Sequence, residues 1–405
     1  MSFVPRVSAL AVAAAVCATA PAAQQFQAGI ENEVAVEGYN NEPINSYSAT
    51  ADFRKLGRGV GMLSMTTDGG TFPCTAFLVD PTHLLTNHHC VPGILDNPQI
   101  KATKIESVSF LAGYLELGRE DEAQRYEVNP VPVETSAELD YTVLEVKGIP
   151  VDQFPPLPLS ADIPVEGTPF WIIGHPLGKS QHISREGCRA ARPSMEPAPA
   201  PQTGDRLRHT CDTLGGNSGS PIIDSSARQV IGLHNSGDRN VGVNFGIPMA
   251  TILKTSKVLK AAPPAEKQPL PMVATVFPRR VGVGQEISVV ADVPGDCVPA
   301  IIDISPTQNL TPIPLEIFEK VPLSEIQARY QVTVTSNYKI VVLEEDEKGE
   351  HKLGALCSPA GLTEPAQLKD ALRGVVGALA QGKMDGKVEV AGGTVTYAFT
   401  TYVIE

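Results

Sequence analysis

The chain has 405 residues, 42% of them hydrophobic and 19% charged, enough for two domains with a core each. Its formal net charge of −13 argues against nucleic acid as the main partner, because a polyanion is held by basic surface. Beyond the N-terminus no segment reaches the ~18 apolar residues that a membrane-spanning helix needs.

The first residues read MSFVPRVSALAVAAAVCATAPAAQQ: one basic residue, Arg6, then an apolar run from Val7 to about Ala18, then small residues. This is the pattern of an export signal, so residues 1–22 are expected to be removed and the product to be secreted or periplasmic. Cys17 goes with the signal. Six cysteines remain, and an even number in an exported chain favours disulfides. Six allow 15 pairings; the positions suggest Cys74–Cys90, Cys188–Cys211 and Cys297–Cys357.

Residues 23–52 are polar and aperiodic, either an N-terminal arm or a pro-segment. Residues 53–259 hold short β-like runs (CTAFLVD, HLLTN, YTVLEV, PFWIIG, SPIID, QVIGLH) separated by Gly, Pro, Asn and Asp, the pattern of an all-β sandwich or barrel. ARPSMEPAPAP, at 191–201, reads as an exposed loop insertion. MATILKTSKVLKA, from Met249, has helical spacing and closes the unit as a short helix. A proline-rich linker is expected at 260–271. Residues 272–405 carry further strands (QEISVVADV, RYQVTVTS, YKIVVLEED), one helix in EPAQLKDALRGVVGALAQG with Glu364 near its start, and a terminal strand. They are expected to form a β-sandwich-like accessory domain.

CDTLGGNSGSP, from Cys211 to Pro221, sets Ser218 among three glycines. It is either a flexible turn or a nucleophile held beside backbone N–H groups. A serine hydroxyl is a weak nucleophile at neutral pH and needs a base, which in turn needs an orienting group. The best context for the base is HLLTNHHC, with His88 and His89. A disulfide at Cys90 would hold that segment rigid, while His88, His89, Cys74 and Cys90 could instead ligate a metal. Asp140, opening the apolar strand of ELDYTVLEV, can hold one imidazole tautomer or simply begin a turn. The order His89, Asp140, Ser218 differs from that of subtilisin and of α/β-hydrolases, and the hydrolase pattern G-x-S-x-G fails at Ser220.

These three segments together resemble the trypsin-like, chymotrypsin-fold serine endopeptidases. CTAFLVDPTHLLTNHHC is similar to the family's T-x-x-H-C stretch, LDYTVLEV to its aspartate-bearing strand, and GGNSGSP to G-D-S-G-G-P. The resemblance covers roughly residues 55–260. It implies two antiparallel six-stranded Greek-key barrels, with His89 as general base, Asp140 orienting it, Ser218 as nucleophile, and the N–H groups of Gly216 and Ser218 as the oxyanion hole. It implies peptide or protein substrates, no cofactor and no metal.

The sequence departs from the family in places. Asn217 stands where mammalian members carry the aspartate that pairs with a newly formed N-terminus, so that activation switch is not implied. Asn217 and Ser220, with VIGLHNSG, look more like the bacterial branch that includes glutamyl endopeptidases. Asp212 lies six residues before Ser218, where trypsin keeps the carboxylate that binds basic side chains. His234 matches the histidine that glutamyl endopeptidases set against an acidic side chain, and Thr213 would line the same wall. The reading leans to acidic or mixed preference. Asn235, Ser236 and Gly237 would offer backbone hydrogen bonds to the substrate. His175 reads as structural, and His83, His182, His209 and His351 have no evident partner. Two rival readings are a catalytically silent homologue acting as a binding module and an esterase or lipase. The partner of residues 272–405 is left open.

Overall fold

The computed structural model describes residues 41–238, 241–267, 271–324, 327–332, 339–358, 365–390 and 393–405. The export signal, Cys17 and Glu364 lie outside these residues.

Strands run β1 (Asn41–Pro43), β2 (Val60–Thr67), β3 (Gly70–Leu78), β4 (His83–Thr86), β5 (Ile105–Ala112), β6 (Gln124–Val128), β7 (Glu134–Ser136), β8 (Tyr141–Glu145), β9 (Phe170–Gly174), β10 (His182–Ser184), β11 (Ala190–Pro197), β12 (Asp205–His209), β13 (Pro221–Asp224), β14 (Gln229–Asp238) and β15 (Val243–Pro248). Two short helices accompany them, α1 (Asp52–Gly57) and α2 (Met249–Thr255). One antiparallel sheet has the order β6-β5-β2-β3-β4-β8-β7, and a second β1-β10-β9-β13-β14-β15-β12-β11. The sheets therefore hold seven and eight strands where six and six were expected. A bridge between Val128 and Val146 brings the β6 edge back to the end of β8.

The apolar alternation explains the cores. Leu63, Met65, Ala76, Leu78, Leu84, Phe110 and Leu144 bury one face of the first sheet. Phe77, Leu85 and Val143, on the opposite face, join Trp171, Ile173, Ile223, Leu233 and Ile252 in a shared core between the sheets. All three expected disulfides are present.

The expected loop insertion at 191–201 is instead partly ordered. Residues 190–197 form β11 and pair with β12, after a register shift between Ala190 and Met195. Its prolines did not exclude a strand because β11 lies at the edge of its sheet, where a missing N–H costs no ladder bond.

The remainder comprises β16 (Val273–Phe277), β17 (Arg280–Val281), β18 (Glu286–Pro294), β19 (Ala300–Ile304), β20 (Leu310–Ile313), β21 (Glu319–Ser324), β22 (Gln327–Val332), β23 (Ile340–Val341), β24 (Gly349–Cys357), β25 (Asp385–Val390) and β26 (Gly393–Ile404), with helix α3 (Pro365–Leu379). A five-stranded and a six-stranded sheet face each other over Val276, Val289, Ile301, Leu353 and Ala355. Helix α3 covers the outer face through Ala371, Val375 and Leu379 against Leu356, Val395 and Phe399. Of the strand expected over YKIVVLEED, Tyr338 lies outside the described residues, and among 339–346 strand covers Ile340–Val341. Past Val342 the chain turns, with the Leu343 N–H donating to Asp346 Oδ2 at 2.7 Å.

Residues 41–52 touch both units. β1 pairs with β10, and Tyr47 bridges to Thr275. The Ser46 carbonyl accepts from Thr400 Oγ1 at 3.1 Å, and the Asn45 carbonyl from Arg279 at 2.6 Å.

Candidate active site

The end of β4 and the start of β8 adjoin because the two strands pair from His83↔Glu145 to Thr86↔Thr142. The tight turn after Thr86 then sets His89 opposite Asp140. The His89 ring Nδ1 lies 2.9 Å from Asp140 Oδ2 and 3.1 Å from Oδ1, and the His89 backbone N–H donates to Oδ1 at 3.0 Å. With Nδ1–H donating to the carboxylate, the lone pair falls on Nε2. Asp140 is 5% exposed, whereas the His89 side chain is 44% exposed, so the carboxylate is sheltered and the ring is accessible.

Asp140 has a left-handed φ of 49°, a conformation aspartate tolerates better than most residues. Asn87 Nδ2 donates to its carbonyl at 3.0 Å, and Asn235 Nδ2 approaches Oδ2 at 3.4 Å. His88 turns elsewhere, its Nδ1 on Thr135 Oγ1 at 2.9 Å. Cys74 Sγ, Cys90 Sγ and a His89 ring nitrogen do cluster within 4.8 Å. The sulfurs are bonded to each other, so they are not the thiolates a metal would take. This removes the metal reading of that cluster.

Ser218 sits on the turn between Cys211 and β13 and is 5% exposed. Two tethers hold this turn beside the His89–Asp140 pair. On one side, the Thr75 N–H donates to the Ser218 carbonyl at 2.8 Å, and Thr75 adjoins Cys74, which is bonded to Cys90. On the other, the Gly219 N–H donates to the His234 carbonyl at 2.9 Å, and the next residue, Asn235, reaches Asp140. Gly216 and Gly219 have φ of +96° and +86°. A side chain at Gly216 would put its Cβ 2.5 Å from the His175 carbonyl oxygen, so the turn demands glycine there by conformation and by space. The Gly215 carbonyl accepts from the Leu177 N–H.

His234 is fully buried on β14, its Nδ1 3.2 Å from Nε2 of His209 on β12. Burial, and then the neighbouring His234, push the His209 pKa well below the ordinary histidine value, so His209 stays neutral at physiological pH. Sequence reading gave His209 no partner; the pair arises because β12 and β14 both flank β15. Thr213 is buried in the same segment, and so is Asp212, whose N–H donates to Ser184 Oγ at 2.8 Å and whose carbonyl accepts from Asn41 Nδ2 at 3.2 Å. Pairing of β14 with β13 stops at Leu233, while pairing with β15 continues to Asp238. Residues Asn235, Ser236 and Gly237 thus lie beyond the β13 ladder.

Other histidines have structural partners. His175 Nδ1 donates to the Lys179 carbonyl at 2.9 Å, and its ring stacks on Tyr114. His351 bonds Asp303 Oδ2 at 2.8 Å. No helix among the described residues is long and apolar enough to cross a membrane.

Residues 74–233 match the family model of the trypsin-like peptidase domain. Among curated proteins, the chain is 23% identical over 205 residues to the secreted RxLR effector protein 73 of Plasmopara viticola. The match spans 49% of this chain and 50% of that relative. Among solved structures, the chain is similar to the active form of the Rv3671c protease from M. tuberculosis, with 21% identity and a TM-score of 0.41, covering 53% of this chain and 86% of that one. It is also similar to a Glu endopeptidase, with 22% identity and a TM-score of 0.35, covering 54% and 91%. A third, the HtrA-type protease AlgW with tripeptide, has 16% identity and a TM-score of 0.36, covering 58% and 89%.

Proposed function

From the match of residues 74–233 to the trypsin-like peptidase domain model, we propose that this protein is an exported serine endopeptidase acting through His89, Asp140 and Ser218. The observation that carries the reading is the hydrogen bond from His89 Nδ1 to the buried Asp140 carboxylate, beside a tethered glycine turn that bears Ser218.

The chemistry follows from the residue types. Ser218 Oγ attacks the scissile carbonyl while His89 Nε2 takes its proton; Asp140 stabilises the imidazolium and does not itself become protonated. The carbonyl oxygen becomes an oxyanion facing the N–H groups of Gly216 and Ser218, donors worth ~10²–10³ in rate apiece. Collapse expels the amine, which takes the proton from His89 and leaves an acyl group on Ser218 Oγ. A water deprotonated by His89 then attacks the acyl carbon, and Ser218 recovers its proton as the acid product departs. No cofactor enters this sequence.

The specificity reading is acidic or mixed. His234 would meet an acidic side chain, with the buried neutral His209 behind it. Asp212 and Thr213 would form the neighbouring wall, and Asn235, Ser236 and Gly237 would pair with the substrate backbone. The expected export accords with the three disulfides. The test is to incubate the protein and its Ser218→Ala variant with a mixed peptide library and read the cuts by mass spectrometry. Cuts after acidic or mixed side chains, lost in the variant, are expected. A wild type that binds peptides without cutting them points to the silent binding module; basic residues before every cut would assign the pocket to Asp212.

A further inference from the structure

Thr75 follows a disulfide cysteine on β3, in the sheet that carries His89, and is fully buried. All its polar atoms face the other sheet or its own neighbours. Its hydroxyl donates to the Gly216 carbonyl at 2.8 Å and accepts the His175 N–H at 3.0 Å. Its own N–H donates to the Ser218 carbonyl at 2.8 Å, and its carbonyl accepts from Thr86 Oγ1 at 2.8 Å.

We propose that Thr75 is a positioning residue for the oxyanion-binding backbone, clamping the carbonyls of Gly216 and Ser218 from the opposite sheet. The inference rests on the endopeptidase reading above. Gly215 and Gly216 form the least constrained stretch of the turn, since glycine accepts φ of either sign. A planar peptide points its N–H opposite to its carbonyl. Fixing three carbonyls therefore fixes the peptides around both donor N–H groups. The Leu177 N–H holds the Gly215 carbonyl, so the Gly216 N–H points away from the 175–178 turn. The Thr75 hydroxyl holds the next carbonyl, that of Gly216, and the Thr75 N–H holds that of Ser218. Between these last two lies the peptide that carries the Ser218 N–H. The hydroxyl also ties the turn to His175, whose carbonyl oxygen lies against Gly216. Without it, the Gly216–Asn217 peptide keeps only the Asn217 N–H bond to the Leu214 carbonyl at 3.0 Å, and the Ser218 N–H that follows is less firmly aimed at the developing charge.

The test compares Thr75→Val, which removes the hydroxyl at similar size, with Thr75→Ser, which keeps it. Kinetics would be measured on a peptide that the wild type cleaves, with the rate of Ser218 labelling by a fluorophosphonate and the thermal transition in parallel. The Val variant is expected to lose about tenfold to a hundredfold in kcat and in labelling rate, with KM within about twofold and the Ser variant near wild type. A Val variant with unchanged kcat overturns the inference and leaves the endopeptidase reading standing. So does a loss confined to KM, or an equal loss in Val and Ser. If Val unfolds, Thr75→Ala takes its place; unfolding of both with Ser native overturns positioning in favour of plain structural support. If the wild type cleaves no peptide but reacts with the fluorophosphonate, the endopeptidase reading fails and the labelling rates of Val and Ser decide the inference. A wild type that does neither overturns both.

Discussion

His175 shows how a single buried side chain ties the candidate site to pH. It lies under the glycine turn, fully buried, with Nδ1–H given to the Lys179 carbonyl and Nε2 without a partner. Burial lowers its pKa from 6.5 to about 4. The unfolded chain takes up the proton first, so this histidine's contribution is fully present above the unfolded value and is lost as pH falls from 6.5 towards the folded value. The difference corresponds to about 3 kcal/mol. Denaturant unfolding at about pH 7.5 and about pH 4.5 is expected to show that loss, and His175→Gln, which keeps a donor but does not titrate, to remove most of it. An unchanged pH dependence in the variant would contradict this. At this scale the pairing of His89 with Asp140 and the glycine turn around Ser218 were open to sequence reading, because eight histidines leave few candidates and each segment has a recognisable local setting. Thr75 and His209 were not. Their partners, Gly216 and His234, are 141 and 25 residues away, and no local pattern marks either.

Strands were legible where a short apolar run is bounded by turn residues, as in HLLT of β4 and YTVLE of β8. Two elements went the other way for physical reasons. The first part of the proline-rich 191–201 stretch, up to Pro197, became an edge strand, because β12 supplies a ladder and the outer side needs no N–H. Among the described residues of YKIVVLEED, 339–346, two are strand, paired to Glu286 and Ile287 of β18. Helix α2 stops at Thr255, short of the full helical pattern. Ser256 leaves the helix, and its Oγ accepts the N–H groups of Val258 and Leu259 at 3.1 and 2.9 Å. Serine competes with helix in this way through its own side chain. Which strands sit side by side was the least legible feature. The second sheet begins with β1, drawn from the polar N-terminal arm, whose composition gave no strand signal.

Across the whole molecule, a buried ionic cluster joins the segment 41–52, the two sheets that follow it and the C-terminal pair of sheets. Asp292 on β18 is fully buried and accepts from Arg329 Nε at 2.8 Å; Arg185, just after β10, also donates to it. Arg329 meets Glu186, and Arg185 donates to the Tyr47 hydroxyl at 2.7 Å. Burial alone would raise the Asp292 pKa, but the two guanidiniums hold its carboxyl below the ordinary range. Removing one partner of such a set strands the others in low dielectric. Asp292→Ala is therefore expected to cost about 3–5 kcal/mol in denaturant unfolding. A loss below about 1 kcal/mol would mean that solvent reaches the arginines and that the cluster does not hold the units together.

The measurement that tests the central claim most directly is the site of covalent capture. The protein and its Ser218→Ala and Asp140→Asn variants would be treated with a fluorophosphonate, digested, and mapped by mass spectrometry. One adduct on the peptide containing Ser218 is expected in the wild type, absent in Ser218→Ala and formed far more slowly in Asp140→Asn. An adduct that persists in Ser218→Ala, or no adduct on the wild type, would contradict a serine nucleophile activated by His89 and Asp140.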